Sequence, residues 1–202
     1  MNDRTNPDRG RRALLVATGA AAGIPALSGA GAFISTLQPS ERAKAAGAPV
    51  EVDISDLAPG QMKTVEWRGK PVWILRRTPE MLASLKTTTS QLVDPGSERN
   101  KDEMTPPYAR NEHRSIKPEI LVAIGICTHL GCSPSEKFAP GAQPSLPDDW
   151  AGGFLCPCHG STFDLAGRVF KNKPAPDNLP VPRHMYASEN RIVIGKDELG
   201  EA

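Results

Sequence analysis

A chain of 202 residues with a formal net charge of +1 is long enough for one globular domain of ordinary size plus an extension. The balanced charge removes the electrostatic ground for nucleic-acid binding. Twenty prolines and eighteen glycines, with 5% aromatic residues, favour a loop-rich β domain over a helical bundle.

Residues 1–12 carry Arg4, Arg9, Arg11 and Arg12 against Asp3 and Asp8, and from Ala13 to Leu37 no charged residue occurs. About 20 apolar residues span a bilayer as a helix, so residues 13–37 read as a transmembrane anchor. The basic flank belongs in the cytoplasm, which puts the rest of the chain on the outer side of the membrane. Arg11-Arg12-Ala13-Leu14-Leu15 resembles a twin-arginine export signal, the plainer reading being the basic start of an ordinary signal peptide. Gly19 and Gly23 form a small-residue pair of the kind that packs helices together, a spacing common in Ala/Gly-rich segments. Residues 38–49 lack apolar periodicity and read as a flexible tether, with Ala43-Lys44-Ala45 a candidate cleavage site.

The globular head then covers residues 50–202. Val50–Ile54, Met62–Trp67 and Val72–Arg77 read as strands, punctuated by Pro59-Gly60 and Gly69. Pro79–Lys86 reads as a short helix with proline at its first position. Residues 87–114 are polar and contain proline, the signature of an inserted loop. Ile120–Ile126 is a continuous apolar run, hence a buried strand leading into Cys127. Gly153–Leu155 and Arg191–Ile194 are further strand candidates. His113 and His184 read as ordinary surface or loop histidines, and Trp67, Trp73 and Trp150 as packing residues.

All four cysteines lie between Cys127 and Cys158, which points to a metal site or a local staple and not to disulfides spread over the fold. The first motif is Cys127-Thr-His129-Leu-Gly-Cys132. The second is Cys156-Pro-Cys158-His159-Gly-Ser161. Each places a Cys and a His in a loop after an apolar strand, so two facing loops would present two thiolates and two imidazoles. Tetrahedral zinc accepts such a set, but it would leave two cysteines unused and gives no reason for the Pro-Cys-His-Gly-Ser context.

These paired segments resemble the cluster-binding loops of the Rieske iron–sulfur proteins, which hold a [2Fe–2S] centre with two Cys and two His. The resemblance implies a mostly β, antiparallel Rieske head with a small cluster-binding part at about 125–178. It also implies that Cys127 and Cys156 bind one iron, that His129 and His159 bind the other, and that Cys132 and Cys158 form a disulfide between the loops. Replacing two thiolates by neutral imidazoles turns an oxidised dianion into a neutral centre, which takes up an electron more easily. Rieske potentials accordingly run from roughly −150 to +300 mV, against about −400 mV for plant-type ferredoxins. Ser161 matches the family serine that donates to a bridging sulfide. Phe163 stands where many quinol-oxidising members carry a tyrosine that donates to a ligand sulfur; phenylalanine has no such donor, so a high potential is not implied. Lys173-Pro174-Ala175-Pro176 resembles the proline-rich loop that covers the cluster, with lysine where glycine is usual.

Anchor, tether and exported head are the plan of the iron–sulfur subunits of cytochrome bc complexes. Arg114-Ser-Ile-Lys-Pro-Glu-Ile-Leu-Val-Ala and Pro174-Ala-Pro-Asp-Asn-Leu-Pro-Val-Pro182 are similar to the proteobacterial branch. This implies a single-pass protein of the bacterial inner membrane with its head in the periplasm. It implies cytochrome b and a c-type cytochrome as partners in a dimeric complex. It further implies electron transfer from ubiquinol, with menaquinol left open, to the cytochrome, and His159 as the ligand that hydrogen-bonds quinol and accepts its proton. The alternative is a soluble periplasmic Rieske subunit of an oxidase such as arsenite oxidase. Cytoplasmic Rieske domains of ring-hydroxylating oxygenases and their ferredoxins fit less well, since they usually lack the extra disulfide.

Overall fold

The computed structural model describes residues 9–40, 47–99 and 101–201. The start of the basic segment and residues 41–46, with the Ala43-Lys44-Ala45 candidate, lie outside these. The chain divides into two units, residues 1–45 and 46–202. In the first, helix α1 (Arg9–Thr36) has 28 residues, is mostly apolar and has no buried side chain. At 1.5 Å per residue it is about 42 Å long, enough to cross a membrane. It begins before the uncharged run, so Arg11 and Arg12 fall inside the helix, and it contains Pro25.

In the second unit, β1 (Val50–Asp53), β2 (Met62–Trp67) and β3 (Lys70–Arg76) precede α2 (Pro79–Thr88). Thr78 caps α2 by accepting from the Met81 amide, and Pro79, lacking an N–H, costs nothing at the first turn. The polar stretch that follows holds a 3₁₀ turn at Thr89–Gln91, the one-turn helix α3 (Lys101–Met104) and a second 3₁₀ turn at Pro107–Ala109. Then come β4 (Ile120–Ile124), β5 (Ser135–Lys137), β6 (Gly153–Leu155), β7 (Thr162–Phe163), β8 (His184–Ser188), β9 (Arg191–Ile194), β10 (Lys196–Asp197) and β11 (Gly200–Glu201).

All the pairings are antiparallel, in the orders β1-β9-β8, β2-β3-β4, β5-β6-β7 and β10-β11. The run that ends at Ile126 is apolar throughout because its strand is buried on both faces. From β3 and β4, Val72, Ile74, Ile120, Val122 and Ile124 pack with Val52, Ile192 and Ile194 of the β1-β9-β8 sheet. Their alternates Trp73, Leu75, Leu121 and Ala123 pack on the opposite side with Phe154, Phe163 and Leu165. Alternation along a strand sends successive side chains to opposite faces. The middle sheet is thus a shared wall between two cores. The second core also contains Cys127 and Cys156.

The three tryptophans are packing residues, each at most 7% exposed. His184 is not the surface or loop histidine its polar neighbours suggest. It begins strand β8, is buried, lies edge-on to the Tyr108 ring and pairs its Nδ1 with the Pro182 carbonyl. Burial pushes its pKa down, opposed by the Pro182 bond and the Asp197 carboxylate. The unfolded chain therefore takes up a proton near its ordinary value of about 6.5 while the folded chain does not. Stability that is full above that pH should fall as pH drops toward the folded pKa. Replacing His184 by Gln should flatten this part of the acid slope in denaturant titrations between pH 7.5 and roughly pH 5. An unchanged slope would exclude His184 as its source.

Candidate functional site

The two motif loops are built alike. In the first, the Cys127 amide donates to the Cys132 carbonyl (2.8 Å) and the Gly131 amide donates back to Cys127 (3.0 Å). In the second, the Cys156 amide donates to Ser161 (2.8 Å) and the Gly160 amide to Cys156 (3.0 Å). Each loop thus closes over six residues with glycine in fifth place. Gly131 and Gly160 sit at φ 85° and 73°, a left-handed turn that a Cβ would strain. β4 delivers the first loop and β6 the second, and β7 carries the chain away from the second into the same core.

The structure brings the expected residues together. A Cys132–Cys158 disulfide joins the loops across 26 positions of sequence. Cys127 and Cys156 are free thiols, each 2% exposed. The His129 and His159 rings meet edge-on with centroids 4.8 Å apart, His159 exposed and His129 half-buried. Sulfur donors therefore lie toward the core and nitrogen donors toward solvent. The Cys156 sulfur lies within 4.8 Å of both disulfide sulfurs. That trio is no ligand set, because two of its members are bonded to each other; the staple instead lies beside the buried Cys156 thiol.

Burial pushes the Cys127 thiol pKa up, and the neighbouring Cys156 adds to the rise, while the His129 amide and the Ser161 hydroxyl pull it down. A sulfur so buried away from water is stable as a thiolate only with a metal or hydrogen bonds beside it. Two buried thiols and two imidazoles on locked loops fit the two-Cys, two-His ligation of a Rieske [2Fe–2S] centre.

Ser161 is wholly buried, and its oxygen accepts from the Ala175 amide (3.0 Å). Ala175 is buried between the exposed Pro174 and Pro176. The Thr128 hydroxyl donates to the Asp177 carbonyl (2.7 Å), so segment 174–179 is pinned to both loops. Phe163 is fully buried, in the core cluster that holds Cys127 and Cys156.

Behind the site lies a set of buried charges. Asp164 pairs with Arg168 at 2.7 Å, both side chains at most 2% exposed, and accepts from the Ala166 and Arg168 amides. Arg114, with no exposed surface, donates to Ser97, Thr105, Ala166 and Leu179. Arg77 donates to His113, Leu165 and Ser115. Burial pushes both arginines down to about 10, with Asp164 pulling against that. The contacts of Arg77 and Arg114 are not visible in a sequence pattern, since their partners lie up to 88 residues away. The sole hint was an arginine heading Arg114-Ser-Ile-Lys.

Residues 49–183 match the Rieske [2Fe–2S] domain family. Over 189 residues the chain is 55% identical to the ubiquinol–cytochrome c reductase iron–sulfur subunit of Allochromatium vinosum, covering 93% of this chain and 88% of that one. It is 41% identical over 183 residues to the subunit of the same name from Bradyrhizobium diazoefficiens, covering 90% and 92%. A third, from Blastochloris viridis, is 42% identical over 188 residues, covering 90% of each.

Proposed function

The chain belongs to the Rieske iron–sulfur subunits of ubiquinol–cytochrome c reductase, and from that premise we propose that its head carries single electrons from quinol to a c-type cytochrome subunit. The observation that carries this reading is the pair of buried free thiols, Cys127 and Cys156, beneath the paired imidazoles of His129 and His159. These four residues would hold the [2Fe–2S] group, which when bound supplies a one-electron acceptor of raised potential. His159, the more exposed imidazole, would hydrogen-bond quinol and take up its proton. Ser161 would donate toward the sulfur side of the group.

Cytochrome b and the c-type cytochrome are the partners in this reading, in a dimeric complex of the bacterial inner membrane. Ubiquinol is the donor. Helix α1 anchors the chain with residues 1–12 on the cytoplasmic side and the head in the periplasm. Arg11-Arg12 is read as the export signal that delivers a head already folded. Residues 38–49 act as the tether on which the head moves between donor and acceptor. A soluble oxidase subunit is not favoured by these relatives.

One preparation tests the whole reading. Protein purified from membranes should contain two irons and two acid-labile sulfides per chain, show a rhombic electron paramagnetic resonance signal on reduction, and retain residues 1–45 by intact mass. A single zinc without labile sulfide would remove the central claim. A mature chain starting near Ala46 in the soluble periplasm would favour the oxidase-subunit reading.

The potential should depend on the donors around Cys127 and Cys156. Reduction adds negative charge, so a donor stabilises the reduced form more than the oxidised one. With about 1 kcal/mol for one such bond and about 59 mV per tenfold for one electron, Phe163→Tyr should raise the potential by about 40–50 mV. Ser161→Ala should lower it. Voltammetry at fixed pH decides; no rise in a variant whose hydroxyl is seen against sulfur refutes the account.

A further inference from the structure

Segment 174–179 is gripped from two sides. On one side it meets the loops through the Ser161 and Thr128 hydroxyls. On the other it meets the polar insertion. The Arg99 guanidinium donates to the Pro176 carbonyl (3.0 Å), and Arg114 donates to Leu179 (2.7 Å). The Asn178 amide nitrogen donates to the Asp94 carbonyl (2.9 Å) and the Ser97 hydroxyl (3.2 Å), while its oxygen accepts from the Val169 amide (2.9 Å). Arg114 and Ser97 are themselves joined at 2.8 Å. Both adopt left-handed backbone, φ 50° and 54°, where neither side chain is favoured. Such outliers persist where the surroundings over-determine them.

We infer that the insertion is a clamp, with Ser97, Asn178 and Arg114 as positioning residues that fix the cover segment and, through the Ala175 amide, the direction of the Ser161 hydroxyl. This inference rests on the redox reading above. The Ala175 N–H occupies the acceptor side of the Ser161 oxygen, which leaves the hydroxyl proton aimed elsewhere. Ser161 is held beside a buried thiol, because its carbonyl accepts from the Cys156 amide. If the clamp opens, the Ala175 amide withdraws, the hydroxyl loses its direction, and donation toward the sulfurs weakens.

The test compares full-length chains in detergent carrying Ser97→Gly, Asn178→Ala or Arg99→Ala. Lys171→Ala is the control, because the Lys171 ammonium donates to the insertion at the Ser90 carbonyl and not to the cover segment. Glycine suits φ 54°, so Ser97→Gly removes the hydroxyl while relieving the backbone and should fold even if Asn178→Ala does not. Hydrogen exchange across residues 174–179 should quicken by about tenfold in Ser97→Gly and Asn178→Ala, by less in Arg99→Ala, and not at all in the control. The reduction equilibrium should shift about fivefold toward the oxidised form in the first two, which is about 40 mV for one electron. Folded variants with unchanged exchange overturn the clamp. Quickened exchange with an unmoved potential overturns the positioning role. Iron content of the unaltered chain tests the redox reading separately, and the exchange comparison stands whatever that content is.

Discussion

Cys132→Ser or Cys158→Ser should release the [2Fe–2S] group on mild heating while leaving the secondary structure of the head in place. The disulfide joins two loops that are each closed by their own backbone bonds, so neither loop should unravel when it is cut. What the bond fixes is the position of one loop against the other. It lies within 4.8 Å of the Cys156 sulfur, next to the buried thiol that would ligate iron. A crosslink of this kind contributes roughly 2–4 kcal/mol, much of it by restricting the unfolded chain. Here that contribution acts on the separation of the two cysteine–histidine loops, since Cys132 packs against the core that holds Cys127 and Cys156. The measurement is iron per chain after graded heating, read beside far-ultraviolet circular dichroism. Full occupancy in both variants at temperatures that the unaltered chain also survives would show the staple to be dispensable.

Asp164→Ala should be among the most destabilising single changes in the head, by about 3–5 kcal/mol. Its carboxylate faces Arg168 at 2.7 Å in a place where both side chains are almost wholly covered. It also accepts from two backbone amides, so removal leaves those donors unpaired as well. Arg77 and Arg114 feel the same carboxylate, and without it three buried guanidiniums share a region that has lost this counter-charge. Asp164→Asn preserves the shape and one acceptor, yet it turns an amide nitrogen or a neutral oxygen toward Arg168, so it should recover only part of the loss. Asp164→Leu combined with Arg168→Met should recover more, because the cost lies chiefly in the uncompensated charge. Asp56, which pairs with Lys63 in the open, serves as the comparison and should barely register. Denaturant unfolding at neutral pH measures all of these. A loss for Asp164→Ala no larger than for Asp56→Ala would mean that the pair is not the keystone its burial implies.

The sequence made the two cysteine–histidine loops and the strands that carry them legible for a simple reason. Cys127, His129, Cys156 and His159 have chemistry that few contexts tolerate, and Ile120–Ile124 has a hydrophobic run that solvent would reject. The match of Met62–Trp67, Gly153–Leu155 and Arg191–Ile194 to observed strands follows from apolar or β-branched content between turn residues. β3 begins two residues earlier than expected, at Lys70, since the tight turn at Gly69 lets pairing start at once. Strands β5 and β7 were invisible: Ser135–Lys137 is polar, and Thr162–Phe163 is too short for any period to register. Residues 87–114 read as an inserted loop because Asp94, Ser97, Thr105 and Arg114 are the residue types of exposed loops. Their burial depends on partners far along the chain, such as Asn178 and Leu179, which no local window contains.

The shared wall formed by β2, β3 and β4 bears on how this head could be taken apart. Trp73 and Ile74 are neighbours in sequence, yet each belongs to a different core. Loosening either core strips one side from the same strands, so the two cannot melt in turn as independent modules. Residues 125–178 excised as a miniature protein would lack the floor on which Phe154 stacks, for that floor is Trp73, 4.8 Å away ring to ring. Grafting the two ligand loops onto a foreign scaffold would accordingly require transplanting a strand pair with them, facing the right way.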